Sequence, residues 1–307
     1  MSEASTPPSP SCTIVVAVNP MASFGRRREV GPRVVERLRA AGHTVVDIDA
    51  PNIELLRREA ARAVEDGADA LVVVGGDGMA NLGINIVAGT DVPLGIVPSG
   101  TGNDLAGGLG IPVGDTEAAI DALLRAIESE PRRIDAGLIR HGGLTTWFGA
   151  VLSAGFDATV NERANHMTRP KGPSRYIFAL LFELATLHPR PYTIVADGET
   201  IRTDAMLVSV ANNRSLGGGM RIVPHADLAD GRLDLFVVTR MSRPRFLRMF
   251  PKVFRGEHAD LPEVSFRALR SVRIEAEGVV AYADGERIGP LPVELTVAPG
   301  ALLVLAP

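Results

Sequence analysis

Three segments carry groups suited to phosphate and metal. In Gly75-Gly76-Asp77-Gly78 the glycines strip side chains from a turn, so backbone N–H groups can reach phosphate oxygens. A carboxylate there repels phosphate unless Mg2+ lies between, and Asp77 therefore points to a metal nucleotide. A structural glycine turn with a solvated Asp is the competing account. Neither the Walker A pattern nor the spaced dinucleotide fingerprint occurs. The second segment is Pro98-Ser99-Gly100-Thr101-Gly102-Asn103-Asp104. Thr101 can donate to a phosphate and Asp104 can orient a metal-bound water, or either can cap the helix that follows. The third, Asn19-Pro20 to Ser23, follows the first apolar run.

Two acidic turns lie downstream. Ala283-Asp284-Gly285-Glu286 is a good hairpin turn, and it also supplies a carboxylate able to take a proton from an acceptor hydroxyl. Asp227-Leu228-Ala229-Asp230-Gly231-Arg232 is either a plain Asp-Gly turn or a site where one carboxylate, carbonyls and waters hold a hard cation.

The elements that must position these groups change character along the chain. Residues 13–18 are a β-branched run, and a helix with Val34, Val35, Leu38 and Ala41 on one stripe follows, with Gly42 past its end. Strands at 45–48, 70–74 and 93–97 alternate with helices at 54–65, 80–87 and 116–128. That alternation predicts a mainly parallel sheet covered on both faces, with ligands at the carboxyl ends of its strands. The three polar turns after three strands would then share one rim. Beyond residue 131 the runs 147–153, 192–196, 205–211, 232–238, 271–276, 279–283 and 291–297 are short and turn-bounded, which predicts antiparallel pairing. Two helical stretches interrupt them, one at 177–187 with Glu183 inside and one at 243–258. The fold class expected is α/β, with a Rossmann-like nucleotide-binding domain followed by an antiparallel, β-rich, sandwich-like domain. Its division is a polar, disordered tail at 1–11, domains at 12–136 and 137–290, and strands at 291–307 returning to the first domain. The boundary falls near 135–138.

Composition bounds the function. The 307 residues suffice for about two domains. Lys plus Arg total 32 against 36 for Asp plus Glu, a net charge of -4, so no global basic field favours nucleic acid. One cysteine, Cys12, excludes an internal disulfide framework and a thiolate cluster. There is no signal-peptide core and no run long enough to span a bilayer, so the chain reads as cytoplasmic.

Taken in order, Asn19-Pro20, Gly75-Gly76-Asp77-Gly78, Pro98 to Asp104, Asp227 to Gly231 and Asp284-Gly285-Glu286 resemble the bacterial diacylglycerol kinase family of soluble lipid kinases. The resemblance runs from about residue 13 to the end. It implies that ATP contacts Asn19, Pro20, Ser23, the stretch Gly75, Gly76, Asp77, Gly78, Met79, Ala80 and Asn81, and Thr101. It also implies that Asp77 and Asp104 organise a catalytic Mg2+ through water, with Glu286 as general base. A structural Mg2+ would fall on Asp230 with the carbonyls of Asp227 and Arg232. The chain departs from the family where Met79 and Leu82 replace a Thr and a Glu, removing two polar groups from the expected nucleotide pocket.

The resulting expectation is phosphorylation of diacylglycerol to phosphatidic acid by a protein reversibly peripheral to the inner face of the membrane. Self-association into a homodimer stays open. Related kinases remain alternatives: NAD kinases and phosphofructokinases share the Gly-Gly-Asp-Gly turn, and sphingosine kinases share most of the set. So does a nucleotide-binding regulator without catalysis. Residues 243–258 gather five cations among Phe, Met and Val, either as a membrane-docking surface or as two short core helices divided at Pro251 with a solvated basic face.

Overall fold

The computed structural model describes residues 11–19, 29–155, 160 and 188–307. The predicted helix at 177–187 lies outside them. Two compact units emerge. The first holds residues 1–100, 109–132 and 303–307, and the second holds 101–108 and 133–302.

The first unit is a parallel sheet built from β1 (Thr13–Val18), β2 (Thr44–Ile48), β3 (Ala70–Gly75) and β4 (Leu94–Pro98). Their order is β4-β3-β1-β2. The inner strands are apolar on both faces because helices cover both, and every residue of β3 and β4 is buried. At the edge, β2 is exposed but for a half-buried Val45 before the buried Ile48. Helices α1 (Val30–Ala40), α2 (Ile53–Glu65), α3 (Asp77–Val87) and α5 (Thr116–Ile127) belong to this unit, whereas the short α4 (Asp104–Gly108), which precedes α5 in the chain, belongs to the second. Arg37 ties α1 to α5 through Glu117 at 2.8 Å and through Asp121, while α2 packs on α3. From β1 the chain steps outward to β2 and then returns to β3 on the other side of β1. That reversal makes the carboxyl ends of β1 and β3 the topological switch point, where such sheets bind ligands.

The second unit is antiparallel. It contains β5 (Arg132–His141), β6 (Leu144–Phe148), β7 (Val151–Gly155), β8 (Arg190–Ala196), β9 (Glu199–Ala211), β10 (Leu233–Thr239), β11 (Val264–Leu269), β12 (Ser271–Glu275), β13 (Val280–Ala283), β14 (Glu286–Pro290) and most of β15 (Val293–Leu305). The long β9 pairs β8 with its first half, and β7 and β10 with its second. On β10, Leu233, Leu235 and Val237 enter one hydrophobic core, while Phe236 and Val238 enter another with Phe246, Met249 and Val253 of α6 (Arg243–Val253). The period-2 alternation of a strand thus feeds a sandwich-like core on one side and a helix-covered core on the other.

Several expected boundaries move. The run at 147–153 is two strands, because the N–H groups of Gly149, Ala150 and Val151 turn to the Asp284 carboxylate at 2.7, 2.9 and 3.0 Å. The boundary expected near 135–138 lies inside β5, which is continuous from Arg132 and carries the buried run Ile134 to Gly137. Residues 291–307 do not return as a whole. Instead, β15 pairs with β12 and β5, and Val304 and Leu305 pair with β4. The expected strands did not include β11 and β14, and helix α3 begins at Asp77 rather than 80. Helix α6 runs through Pro251 as one helix, so residues 243–253 do not divide into two. Pro251 offers no N–H to the Leu247 carbonyl, and both residues are exposed, so water can reach that carbonyl.

Candidate active site

In the first unit the expected ligand-binding residues collect at the switch point. The Asn19 N–H donates to the Val74 carbonyl at 3.2 Å, and the Ser99 N–H donates to the Gly75 carbonyl at 2.8 Å. These bonds bring the ends of β1, β3 and β4 side by side. Gly76 is the extended N-cap of α3, and its carbonyl accepts from Met79 N and Ala80 N at 3.0 and 3.1 Å. The helix start directs its first-turn N–H groups toward the rim. Asp77 occupies the first position of that turn.

The positions where the chain departs from the family pattern turn inward. Met79 and Leu82 are 2% and 6% exposed. A Cβ on Gly75 would sit 2.3 Å from Met79 Cγ, so the Met79 side chain lies against the bare glycine backbone. Ala80 is buried as well. Asn81 is buried, and the Asn85 amide donates to its carbonyl at 2.9 Å and its Oδ1 at 3.2 Å. Pro20 and Ser23 lie outside the described residues.

Thr101 and Asp104 belong to the second unit, with Thr101 exposed and Asp104 buried. Sequence reasoning offered Asp104 as a cap of its own helix, but its carboxylate reaches elsewhere. Oδ1 accepts from the N–H groups of Gly218 and Gly219 at 3.2 and 3.0 Å, and Oδ2 accepts from Gly218 at 3.2 Å. Gly217, Gly218 and Gly219 all have positive φ, a conformation that turns consecutive N–H groups toward one anion.

From Asp104 a hydrogen-bond network reaches the unit's other candidate groups. The Asn213 amide donates to the Asp104 carbonyl at 2.9 Å. The N–H groups of Asn212 and Asn213 both donate to the Ala150 carbonyl, at 2.8 and 3.0 Å. The flanking N–H groups of residues 149–151 bind Asp284, which is 8% exposed. Asp284 and Gly285 have φ of 49° and 86°, the two positive values of a type I′ hairpin turn, and Glu286 opens the next strand as an exposed side chain. The network thus fixes the backbone that presents Glu286.

The Asn212 amide also donates to the Asp135 carbonyl at 2.9 Å. The buried Asp135 carboxylate accepts from Gly231 N at 2.6 Å and Gly300 N at 2.8 Å, and so grips the loop holding the expected metal ligands. In that loop Asp227 and Asp230 each close a local turn, to Ala229 N and Arg232 N at 3.0 and 2.9 Å. Burial raises the Asp234 carboxyl from its ordinary value; His225 at 3.5 Å opposes the rise, and the like charge of Asp230 adds to it. No group of three or more His, Cys, Asp or Glu is placed to hold a metal among the described residues. Mg2+ needs only one or two carboxylates beside carbonyls and waters, and Asp230 supplies one carboxylate, whose Oδ1 already accepts from Arg232 N.

Sequence reasoning missed Asp135, Asn212, Asn213 and the glycine run 217–219. The available signals were Asn-Asn at the end of a strand and three consecutive glycines.

Comparison with known proteins covers nearly the whole chain. A family model described as "Diacylglycerol kinase catalytic domain" matches residues 13–139, and one described as "YegS C-terminal NAD kinase beta sandwich-like domain" matches residues 150–306. A protein of Mycobacterium tuberculosis named "Diacylglycerol kinase" is 41% identical over 296 residues, covering 96% of this chain and 95% of that one. A "Probable lipid kinase YegS-like" of Chromohalobacter salexigens is 31% identical, covering 89% and 87%. A crystal structure of a putative diacylglycerol kinase from Bacillus anthracis superposes with a TM-score of 0.77 at 21% identity, covering 100% of this chain and 98% of that one.

Proposed function

The chain belongs to the diacylglycerol kinase family, and from that premise we propose that it transfers the γ-phosphoryl group of ATP to the primary hydroxyl of diacylglycerol, giving phosphatidic acid. The observation that carries this reading is the anchoring of the Asp284-Gly285 turn by three backbone N–H groups, which holds Glu286 on a stiff, exposed hairpin.

Phosphoryl transfer asks a protein mainly to position groups and balance charge. The backbone from Gly75 to Asn81 with Asn19, Pro20, Ser23 and Thr101 would bind the nucleotide; the Met79 and Ala80 side chains are buried and their N–H groups bond the Gly76 carbonyl, so these two would shape the site rather than donate to it. Asp77 and Asp104 would hold Mg2+ through water. Two N–H groups, one of them shared between both oxygens, already engage the Asp104 carboxylate, which suits a water-mediated contact better than a direct one. The metal, when bound, neutralises phosphate charge. Glu286 would accept the proton of the attacking hydroxyl. Asp230, with the carbonyls of Asp227 and Arg232, would hold a second, structural Mg2+ that fixes the loop gripped by Asp135. The protein would act from the cytoplasmic face of the membrane.

A second acceptor class is favoured by the relative named only as a probable lipid kinase: another membrane lipid with a primary hydroxyl. Labelled ATP and Mg2+ with a panel of lipids in mixed micelles separates these readings. Glu286→Gln should lower turnover on the preferred lipid about a hundredfold or more while leaving nucleotide affinity unchanged. Wild-type turnover by that variant would remove Glu286 from the mechanism. Nucleotide binding without transfer to any lipid would favour a regulator.

A further inference from the structure

Helix α6 carries a repeat that its packing does not need. Pro244-Arg245-Phe246-Leu247-Arg248 is followed, seven residues on, by Pro251-Lys252-Val253-Phe254-Arg255. Phe254 is the C-cap and keeps helical angles, φ -64° and ψ -23°. Seven residues is close to two turns, so equivalent residues stand nearly in line. Phe246 and Val253 fall on the buried line. Leu247 and Phe254 fall on a second line and are 51% and 47% exposed. Arg248 and Arg255 share a third, exposed line, and Arg245 and Lys252 a fourth.

The charges are one-sided. Residues 243–255 contain five cations and no acid, in a chain with a net charge of -4. Arg245 pairs with Glu263 at 2.7 Å, and Arg255 reaches Glu257 at 3.7 Å. Arg248 and Lys252 form no ion pair among the described residues. The Leu247–Phe254 line lies between the buried line and the Arg248–Arg255 line, and exposed Leu and Phe beside rows of cations match a plane of anionic headgroups over hydrocarbon. Phe254 meets the ring of Phe250 edge-on at 6.2 Å and is still half exposed; an acidic protein or a nucleic acid would use the cations but offer no apolar layer to Leu247 and Phe254.

We propose that this outward face of α6 docks the protein on a bilayer bearing anionic headgroups, the cations meeting the headgroups and Leu247 and Phe254 entering the boundary beneath them. This deepens the lipid-kinase reading and rests on it, since a lipid kinase must reach its acceptor in the membrane.

The test is sedimentation of the full chain with vesicles of phosphatidylcholine alone, or of phosphatidylcholine and phosphatidylglycerol in equal parts. The wild type should bind the anionic vesicles and release with salt. The variant R248E/K252E should bind about thirtyfold more weakly or worse, from roughly one basic contact's worth of attraction lost at each position. L247S/F254S should bind more weakly while keeping its salt dependence. All four side chains are exposed, so unchanged thermal melting is the expected control. Should one variant fail to fold, the other decides. Failure of the wild type to bind, or undiminished binding by the folded variants, would overturn the proposal. Phosphorylation of a short-chain, monomeric diacylglycerol separates the two readings. Equal rates for wild type and variants there, with slower rates for the variants on vesicles, support both. Loss of vesicle binding in the variants with no phosphorylation by the wild type leaves the docking face standing and removes the kinase reading.

Discussion

A carboxylate offers several lone pairs to neighbouring N–H groups, and four Asp residues of the second unit each hold two or more backbone N–H groups. Asp104 holds Gly218 and Gly219, Asp135 holds Gly231 and Gly300, Asp197 holds Arg270 and Ser271, and Asp284 holds Gly149, Ala150 and Val151. Asp197 shows the electrostatic outcome. Burial alone would raise its carboxyl, but the N–H groups of Ser271 and Arg270 and the Ser271 hydroxyl outweigh that and leave it below its ordinary value. Asp284, in the same kind of Asp-Gly turn, therefore contributes placement. Asp284→Asn tests this, because Asn tolerates the positive φ of 49° but replaces one acceptor oxygen with a donor that would face an N–H group. Chemical denaturation should show a loss of about 2 kcal/mol, the order expected for stranding a buried donor. Unchanged stability would mean that the three bonds do not hold the turn.

Among the elements, legibility followed periodicity. Strands β1, β3 and β4 were plain in the sequence because both of their faces are buried, and α1, α2 and α5 because each buries one stripe. Where backbone groups bond to side chains rather than to a ladder, the pattern fails: at Gly149 and Ala150 the Asp284 carboxylate ends one strand and starts another, and no periodicity records that. Hairpin β5–β6 was hidden for a different reason. Gly137 lies opposite Phe148, whose ring occupies the space a side chain would take; a Cβ on Gly137 would come within 1.9 Å of Phe148 Cε1. A glycine inside a strand reads as a breaker, although here it accommodates a fully buried ring. Gly137→Ala should cost about 1–3 kcal/mol, and adding Phe148→Leu should recover part of that loss in a double-mutant cycle. Additive losses would show that the two residues do not share the space.

At the scale of the whole molecule, the order of the motifs was legible, but the course of the chain between the two units was not. Residues 101–108 join the second unit, 109–132 return to the first, and β15 starts in one and ends in the other. Such assignments depend on contacts between residues far apart in sequence, including Asp104 with Gly218, which no local pattern encodes. A buried histidine gives the folded chain a pH response that was equally invisible. His258 is 0% exposed, with Nε2 2.9 Å from the Ile222 carbonyl, Nδ1 without a hydrogen-bond partner among the described residues, and the rings of Phe236 and Phe266 edge-on at 5.6 and 6.1 Å. Burial lowers its pKa, and the bond to Ile222 only partly offsets this. The folded state thus keeps His258 neutral where the unfolded chain, with a histidine pKa of about 6.5, takes up a proton. Stability from this group is complete above that value and declines as pH falls from it toward the folded pKa, at up to about 1.4 kcal/mol per pH unit. Tm should therefore drop between about pH 7 and pH 5, and His258→Leu, although less stable at neutral pH through loss of the Ile222 bond, should show a shallower drop. The other acidic and basic groups titrate in both proteins, so the difference in slope isolates His258, and parallel curves would show that its protonation does not oppose folding.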